Sequence, residues 1–279
     1  MSKIILHSAI HWEAAPIIKH LNLKKNLNFK SFEVFSNNDF VYVISGIGKI
    51  KAACALARVL ETSSGLDSAA LLNIGVAGSK AGSYPVGTLL RIISCKDTAS
   101  NRSYYPDAIL NLGIPEESLE THDKAVSNDS EPLLNYPIVD MELSGVLEAG
   151  SQFFTWDKIF SLKIVSDLLQ VACLNKNFVH SLVEQNLPSI EEAFKKIFIY
   201  LDSQTKILSA DSLSLIQNLS EQIKLTSYQQ IMLEDAVKGA EAKGLPWKSR
   251  IKAFLNVNPE NKEQVKVLLN EVCNAISLS

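Results

Sequence analysis

Cysteine is scarce and scattered in this 279-residue chain: Cys54, Cys95, Cys173 and Cys273 are the full set. No two of them form a C-x-x-C pair, which excludes zinc-ribbon and thioredoxin-type centres. Each lies among apolar neighbours and reads as a small buried hydrophobe. A surplus of positive charge is also missing. Lys and Arg number 27 against 30 Asp and Glu, for a formal net charge of -3 and a pI near 6.0. Such a chain has no basic field, so nucleic acid is excluded as its main partner. Long hydrophobic runs are absent too. The opening stretch "MSKIILHSAIHWEAAP" is too short and too polar for a signal peptide or a membrane span. With no disulfide framework either, a reducing cytoplasm is the expected location and no membrane partner is expected.

Several catalytic and nucleotide-binding motifs are incomplete or absent. "SGIGKIKAA" offers Gly46 and Gly48, but position 51 is Lys where a dinucleotide fingerprint needs its third glycine. A P-loop would need Gly at position 43 and Ser or Thr at position 50, where Val43 and Ile50 stand. No G-x-S-x-G elbow exists, so an α/β-hydrolase is unsupported. His7 and His11 have no further ligands around them in sequence, whereas a zinc site needs three or four. They read as satisfied or solvent-facing histidines, and neither a metal nor a cofactor is expected.

What is present is an alternation of strand and helix patterns. "KIILHSAI", "FKSFEVFS", "FVYVISG", "SAALLNIGVAGS", "VGTLLRIISC" and "KIFSLKIVSDLL" read as strands, the fourth apolar enough for burial on both faces. "EAAPIIKHLNL" and "KIKAACALARVLETSS" carry helical periods, with Ile50, Ala53, Cys54, Ala57 and Leu60 as the apolar face of the second. "PIVDMELSGVLEAGSQFF" reads as a strand running into a helix. Residues 96–137 are polar and turn-rich and suit loops with short strands. This alternation predicts an α/β fold with a mixed central sheet flanked by helices. After about residue 174 only helical periods remain. We therefore divide the chain into an α/β domain over residues 1–205 and a C-terminal helical extension over 206–279.

Four blocks fall at the ends of predicted strands, where open α/β sheets place ligand sites. They are "SAIHWEAAP" with Glu13, "SGIGK" at 45–49, "NIGVAGS" at 73–79, and the pair "VDMEL" and "KIVSDLL" with Glu142 and Asp167. Each has an ordinary reading alone. Glu13 suits the first turn of a helix, and Asp167 suits a turn or cap. Asp140 and Glu142 share one face of an extended segment, so alternation does not choose between them.

In order and in spacing within blocks, these segments resemble the purine nucleoside phosphorylase/uridine phosphorylase superfamily. They look most like its methylthioadenosine/S-adenosylhomocysteine nucleosidase branch. "SGIGKIKAACALARVLE" is similar to that branch's S-G-I-G-K-x-x-A-A helix start, "LNIGVAGS" to its N-x-G-x-A-G turn, "VDMEL" to its V-E-M-E and "KIVSDLL" to its R-x-I-S-D. The resemblance spans roughly residues 3–98 and 120–200. It implies a nucleoside phosphorylase-like fold and cleavage of an N-glycosidic bond in a small-molecule nucleoside, with a homodimer as the expected assembly.

Cleaving that bond makes the sugar oxocarbenium-like and the leaving base negative, so an acid, a ribose clamp and a nucleophile holder are needed. The resemblance assigns Asp167 as the acid that protonates the purine and Glu142 as the ribose clamp, with Met141 packed under the sugar. It assigns Glu13 to water, and Ala77, Gly78 and the backbone of Val126 to substrate contacts. Lys163 stands where the nucleosidases carry an arginine near the water. It keeps the charge but not the planar fork. Asp140 is left with a structural role. Ala125, in "ETHDKAVSND", falls where the nucleosidases place a base-stacking aromatic, and Tyr104 or Tyr105 is the substitute nearest at hand. Phosphorylases of the superfamily hold phosphate with arginines and a serine at positions where this chain has Asn73 and Val76, and no arginine precedes Arg58. Glu13 would repel phosphate. Hydrolysis is therefore expected over phosphorolysis; a nucleoside-binding protein without turnover is the reading from another class.

Overall fold

The computed structural model describes residues 2–127, 134–170, 175–205, 208–255, 257, 259 and 261–277. These fall into two compact units, residues 1–201 and 202–279. The first contains β1 (Lys3–Ser8), α1 (His11–His20), β2 (Lys24–Lys25), β3 (Glu33–Ser36), β4 (Phe40–Ile44), α2 (Lys49–Glu61), β5 (Ala69–Ser79) and β6 (Leu89–Asp97). It continues with β7 (Ser103–Tyr104), β8 (Glu116–Thr121), β9 (Ile138–Asp140), α3 (Leu143–Gly150), β10 (Ile159–Asp167) and most of α4 (Lys176–Thr205). The mixed sheet flanked by helices and the helical C-terminal region agree with the sequence pattern.

The strands run in the order β10-β6-β8-β9-β5-β1-β4-β3-β2, with β7 on β6. Because β10 also pairs with β5, the strands β5, β10, β6, β8 and β9 close on one another. Pairings β4–β1–β5–β10 are parallel, while β10–β6 and β5–β9 are antiparallel. Alternation divides the side chains of the parallel strands between two cores. Ile5, Leu71, Ile159 and Val165 join α2 and α3 on one face. Ile4, Leu6, Leu72, Phe160 and Leu162 join α1 and α4 on the other. Burial on both faces accounts for the nearly unbroken apolar runs of β5 and β10.

Two sequence readings need correction here. The buried face of α2 is Ala52, Ala55, Leu56, Val59 and Leu60, whereas Ile50, Cys54 and Ala57 face outward. Lys51, Arg58 and Glu61 lie on the outward side, but small apolar residues flank it on both edges, so docking against α3 settles which edge is buried. A Cβ on Gly145 of α3 would lie 2.0 Å from the Lys49 carbonyl oxygen, so only glycine permits this approach. The cysteines also differ from expectation. Cys95 is buried, Cys273 is intermediate and Cys54 is exposed, while Cys173 lies outside the described residues.

The second unit is a helical cluster of α5 (Ala210–Gln222), α6 (Ser227–Ala242), α7 (Trp247–Arg250) and α8 (Lys262–Ser277). Leu219, Leu233, Val237, Trp247, Leu269 and Val272 form its own core. No helix among the described residues is long and apolar enough to cross a membrane.

Candidate active site

The C-terminal ends of β1, β5, β9 and β10 surround one cavity. It is lined by Glu13, Glu142, Asp167, Met141, Val126, Ala77 and Gly78, with Ala9, Ile10, Ile47, Val76, Ala125, Val139, Asp140, Ser166 and Leu169. The three acids singled out from sequence thus share a cavity, although positions 13 and 167 are far apart in the chain. Lys163 does not line it. Tyr104 and Tyr105, the proposed stacking aromatics, do not line it either: Tyr104 donates its hydroxyl to Glu148 and Tyr105 is exposed. Ala125 does line it, so the wall at that point is aliphatic.

Glu13 is placed by the first turn of α1. Its Oε2 accepts from the backbone N–H groups of Ala9 and Ile10, each at 3.0 Å, and its Oε1 accepts from Val76 N–H at 2.8 Å. The reason is local: an acid at the third helical position reaches back to the unpaired donors at a helix start. Gly75 makes room for it, since a Cβ there would stand 2.9 Å from Glu13 Oε1 and 3.4 Å from Lys163 Nζ. Burial raises the Glu13 pKa, and the Lys163 charge and the three N–H donors only partly offset this.

Glu142 follows β9 and is the residue from which α3 starts. Its Oε1 accepts from Gly48 N–H at 2.8 Å. Gly48 can present that N–H because its φ of +105° lies in the left-handed region open to glycine. Burial, the charge of Asp140 and that of Glu13 push the Glu142 pKa up to about 7, against the opposing pull of Lys163.

Asp140, two residues earlier, is fully engaged. Its Oδ2 lies 2.8 Å from Lys163 Nζ and accepts from Leu143 N–H at 2.9 Å; its Oδ1 accepts from Thr121 Oγ1 at 2.7 Å. Desolvation works against the Lys163 charge, but Asp140, Glu142 and Glu13 together hold its pKa above the ordinary value. Ser144, on the far side of Glu142, is tied to Asp97 Oδ2 by its hydroxyl at 2.8 Å, and Asp97 in turn pairs with Lys49 at 2.7 Å. The Asp140–Ser144 turn is therefore anchored at both ends, which fixes Met141 and Glu142 at the cavity wall.

Asp167 ends β10 just after a register shift against β5. Ser166 Oγ donates to its Oδ2 at 2.7 Å and Gln170 N–H donates to its Oδ1 at 2.9 Å. Two donors orient the carboxyl group, and each oxygen keeps a lone pair for a ligand. Leu169, at φ +61°, packs with Val126, Leu134 and Val139 beside it.

Solved structures that share this architecture include nucleosidases and a futalosine hydrolase. A 5'-methylthioadenosine/S-adenosylhomocysteine nucleosidase from Helicobacter pylori, with butyl-thio-DADMe-Immucillin-A, superposes with a TM-score of 0.61 at 16% identity. The match covers 70% of this chain and 99% of that one. The corresponding nucleosidase from S. pneumoniae, with the transition-state inhibitor MT-ImmA, gives 0.57 at 19% identity over 70% and 99%. Futalosine hydrolase of Helicobacter pylori gives 0.59 at 16% over 70% and 98%. The chain has the nucleoside phosphorylase/nucleosidase fold. No family profile and no curated protein sequence matches it.

Within this nucleosidase fold, the sequence reading missed the partners that hold the acids. The lysine of Asp140, the glycine turn that reaches Glu142, and the Asp97–Ser144–Thr121 contacts behind them all arise between distant segments. One signal was available. Ser161 and Lys163 are polar at alternate positions of a strand otherwise apolar enough for two-sided burial. Polar residues two apart in such a strand mark a polar strip on one sheet face.

Proposed function

We propose that this protein hydrolyses the N-glycosidic bond of a purine nucleoside or thionucleoside. The observation that carries this reading is the convergence of Glu13, Glu142 and Asp167 on one cavity, with Glu13 seated on three backbone N–H groups. Asp167 protonates the departing base, where its two donors leave a lone pair free. Glu142 accepts hydrogen bonds from the ribose hydroxyls and favours positive charge on the sugar, with Met141 beneath. Glu13 orients the attacking water through its remaining lone pairs. Lys163 balances the negative charge of Glu13 and Glu142 from behind the wall.

Water is favoured over phosphate by the same geometry. Val76 N–H and the two amides at the start of α1 are what an anion would use, and Glu13 already holds them. Among the described residues that line the cavity there is no Lys or Arg. A phosphate in this cavity would face the carboxylates of Glu13, Asp140, Glu142 and Asp167 with no lining cation. The same lack argues against a 5'-phosphorylated substrate, and Ile10 and Ile47 suit an apolar 5' substituent. The structural neighbours described with 5'-methylthioadenosine or alkylthio inhibitors support that choice.

The test is release of free base from methylthioadenosine, adenosylhomocysteine, adenosine, deoxyadenosine and inosine, with and without phosphate. Turnover in phosphate-free buffer is expected. Strict dependence on phosphate would make the protein a phosphorylase, and saturable binding without turnover would make it a nucleoside-binding protein.

A further inference from the structure

His7 has no part in the chemistry above, yet it is completely buried at the end of β1. The register sets it beside Asn73 of β5, and Asn73 beside Ser161 of β10. Ser161 Oγ donates to Asn73 Oδ1 at 3.2 Å, and Asn73 Nδ2 stands 2.9 Å from His7 Nδ1. An amide nitrogen only donates, so Nδ1 is the acceptor and the ring proton sits on Nε2. That proton points to Ser45 Oγ at 2.9 Å, and Ser45 Oγ in turn donates to the Gly46 carbonyl at 2.9 Å. The ladder crosses three adjacent strands and ends in the turn whose Gly48 N–H grips Glu142 at 2.8 Å. Burial, with the Lys163 charge, pushes the His7 pKa down to about 3, so the ring stays neutral and keeps this direction of donation at ordinary pH.

We propose that His7 is a positioning residue: through Ser45 it fixes the Gly46–Gly48 turn and thereby the Glu142 carboxylate. An apolar residue would pack at this buried position without needing partners. The imidazole is required because it must accept from Asn73 on one side and donate to Ser45 on the other. Its link to ribose binding rests on the nucleosidase reading; its link to the turn does not.

Two substitutions separate the two ends of the ring. Glutamine places an amide donor near the position of Nε2, so His7→Gln keeps the bond to Ser45. Asparagine places its carbonyl near Nδ1, so His7→Asn keeps Asn73 satisfied and loses Ser45. We expect His7→Gln, which keeps the Ser45 end and loses the Asn73 end, to lose clearly less activity than His7→Asn. His7→Asn should lose on the order of 10- to 100-fold in kcat/KM, mainly through KM, as misplaced binding groups do. Ser45→Ala should lose a similar factor, and the His7→Asn/Ser45→Ala double variant no more than either alone, because both cut one relay. Amide exchange of the 45–49 segment should be faster in His7→Asn than in His7→Gln, whatever the activity. Equal kinetics and equal exchange in the two variants would overturn the proposal, as would an inverted order. If the wild type cleaves no nucleoside, the nucleosidase reading fails and the exchange rates still decide the role of His7.

Discussion

Lys163 Nζ lies 2.8 Å from Asp140 Oδ2, and both side chains are almost wholly shielded from water. Asp140 is held besides by Thr121 and the Leu143 amide, so the pair has partners for most of its polar atoms. Lys163 is the positive charge that lets three buried carboxylates, Asp140, Glu142 and Glu13, share one region. Replacing Lys163 by Met leaves buried Asp140 without its cation. Breaking a buried pair from one side costs about 3–5 kcal/mol. Urea denaturation of Lys163→Met should show a loss of that size, and Lys163→Met/Asp140→Asn should recover part of it. A loss under about 1 kcal/mol, the range of exposed pairs, would contradict the structural assignment.

In the proposed mechanism Asp167→Asn removes the proton that the leaving base takes up but keeps the shape of the side chain. General acid catalysis contributes roughly 10²- to 10⁴-fold, so kcat should fall by that much. Binding of a non-hydrolysable nucleoside analogue, followed by calorimetry, should change far less. Full activity in this variant would move the acid elsewhere.

The raised pKa of Glu142 predicts an acid limb in activity. As the proposed ribose clamp, Glu142 would accept hydroxyl hydrogens best when ionised, so kcat/KM should rise as pH passes through about 7. In the enzyme–substrate complex the hydroxyl donors favour the ionised form, so the limb in kcat should lie at lower pH than the limb in kcat/KM. Stability runs the other way. The folded pKa lies above the ordinary 4.5, so the folded state binds the extra proton more tightly. The contribution of Glu142 to stability is therefore lost as pH rises from about 4.5 to about 7. Glu142→Gln should abolish the limb and flatten this part of the stability profile.

Gly75→Ala tests the seat of Glu13. The added Cβ would stand 2.9 Å from Glu13 Oε1, the oxygen held by Val76 N–H, in a carboxylate whose other oxygen is held by the Ala9 and Ile10 amides. Something must shift, and the carboxylate is the group that lines the cavity. A displacement of that group should lower kcat by about tenfold or more. The thermal midpoint should change much less than in Lys163→Met. Unchanged kinetics would show that Glu13 is not held where the water must be.

Much of the fold was legible in the chain because its cues are local. Alternating and continuous apolar runs marked β1, β4, β5, β6 and β10, and helical periods marked α1, α2 and the C-terminal helices. The face of α2 was not legible. In "KIKAACALARVLE" alanine occupies both sides, and the buried side depends on how closely Gly145 lets α3 approach. The strand β9 was legible in "PIVD", but the short β7 and β8 could not be placed within the turn-rich segment, because a two- to six-residue polar strand gains its stability from its neighbours.

The site divides along the same line. The sequence by itself determined the strand–turn–helix units, the glycine turn at 46–48 and the acids at the strand ends, because backbone conformation and side-chain type act within a few residues; the glycines at 75 and 78, expected in a turn, lie within β5. Only the tertiary structure decided that Asp140 meets Lys163, that Gly48 reaches Glu142 and that His7 aligns with Asn73 and Ser161. Those contacts follow from strand order and register, which bring together side chains with no common period along the chain.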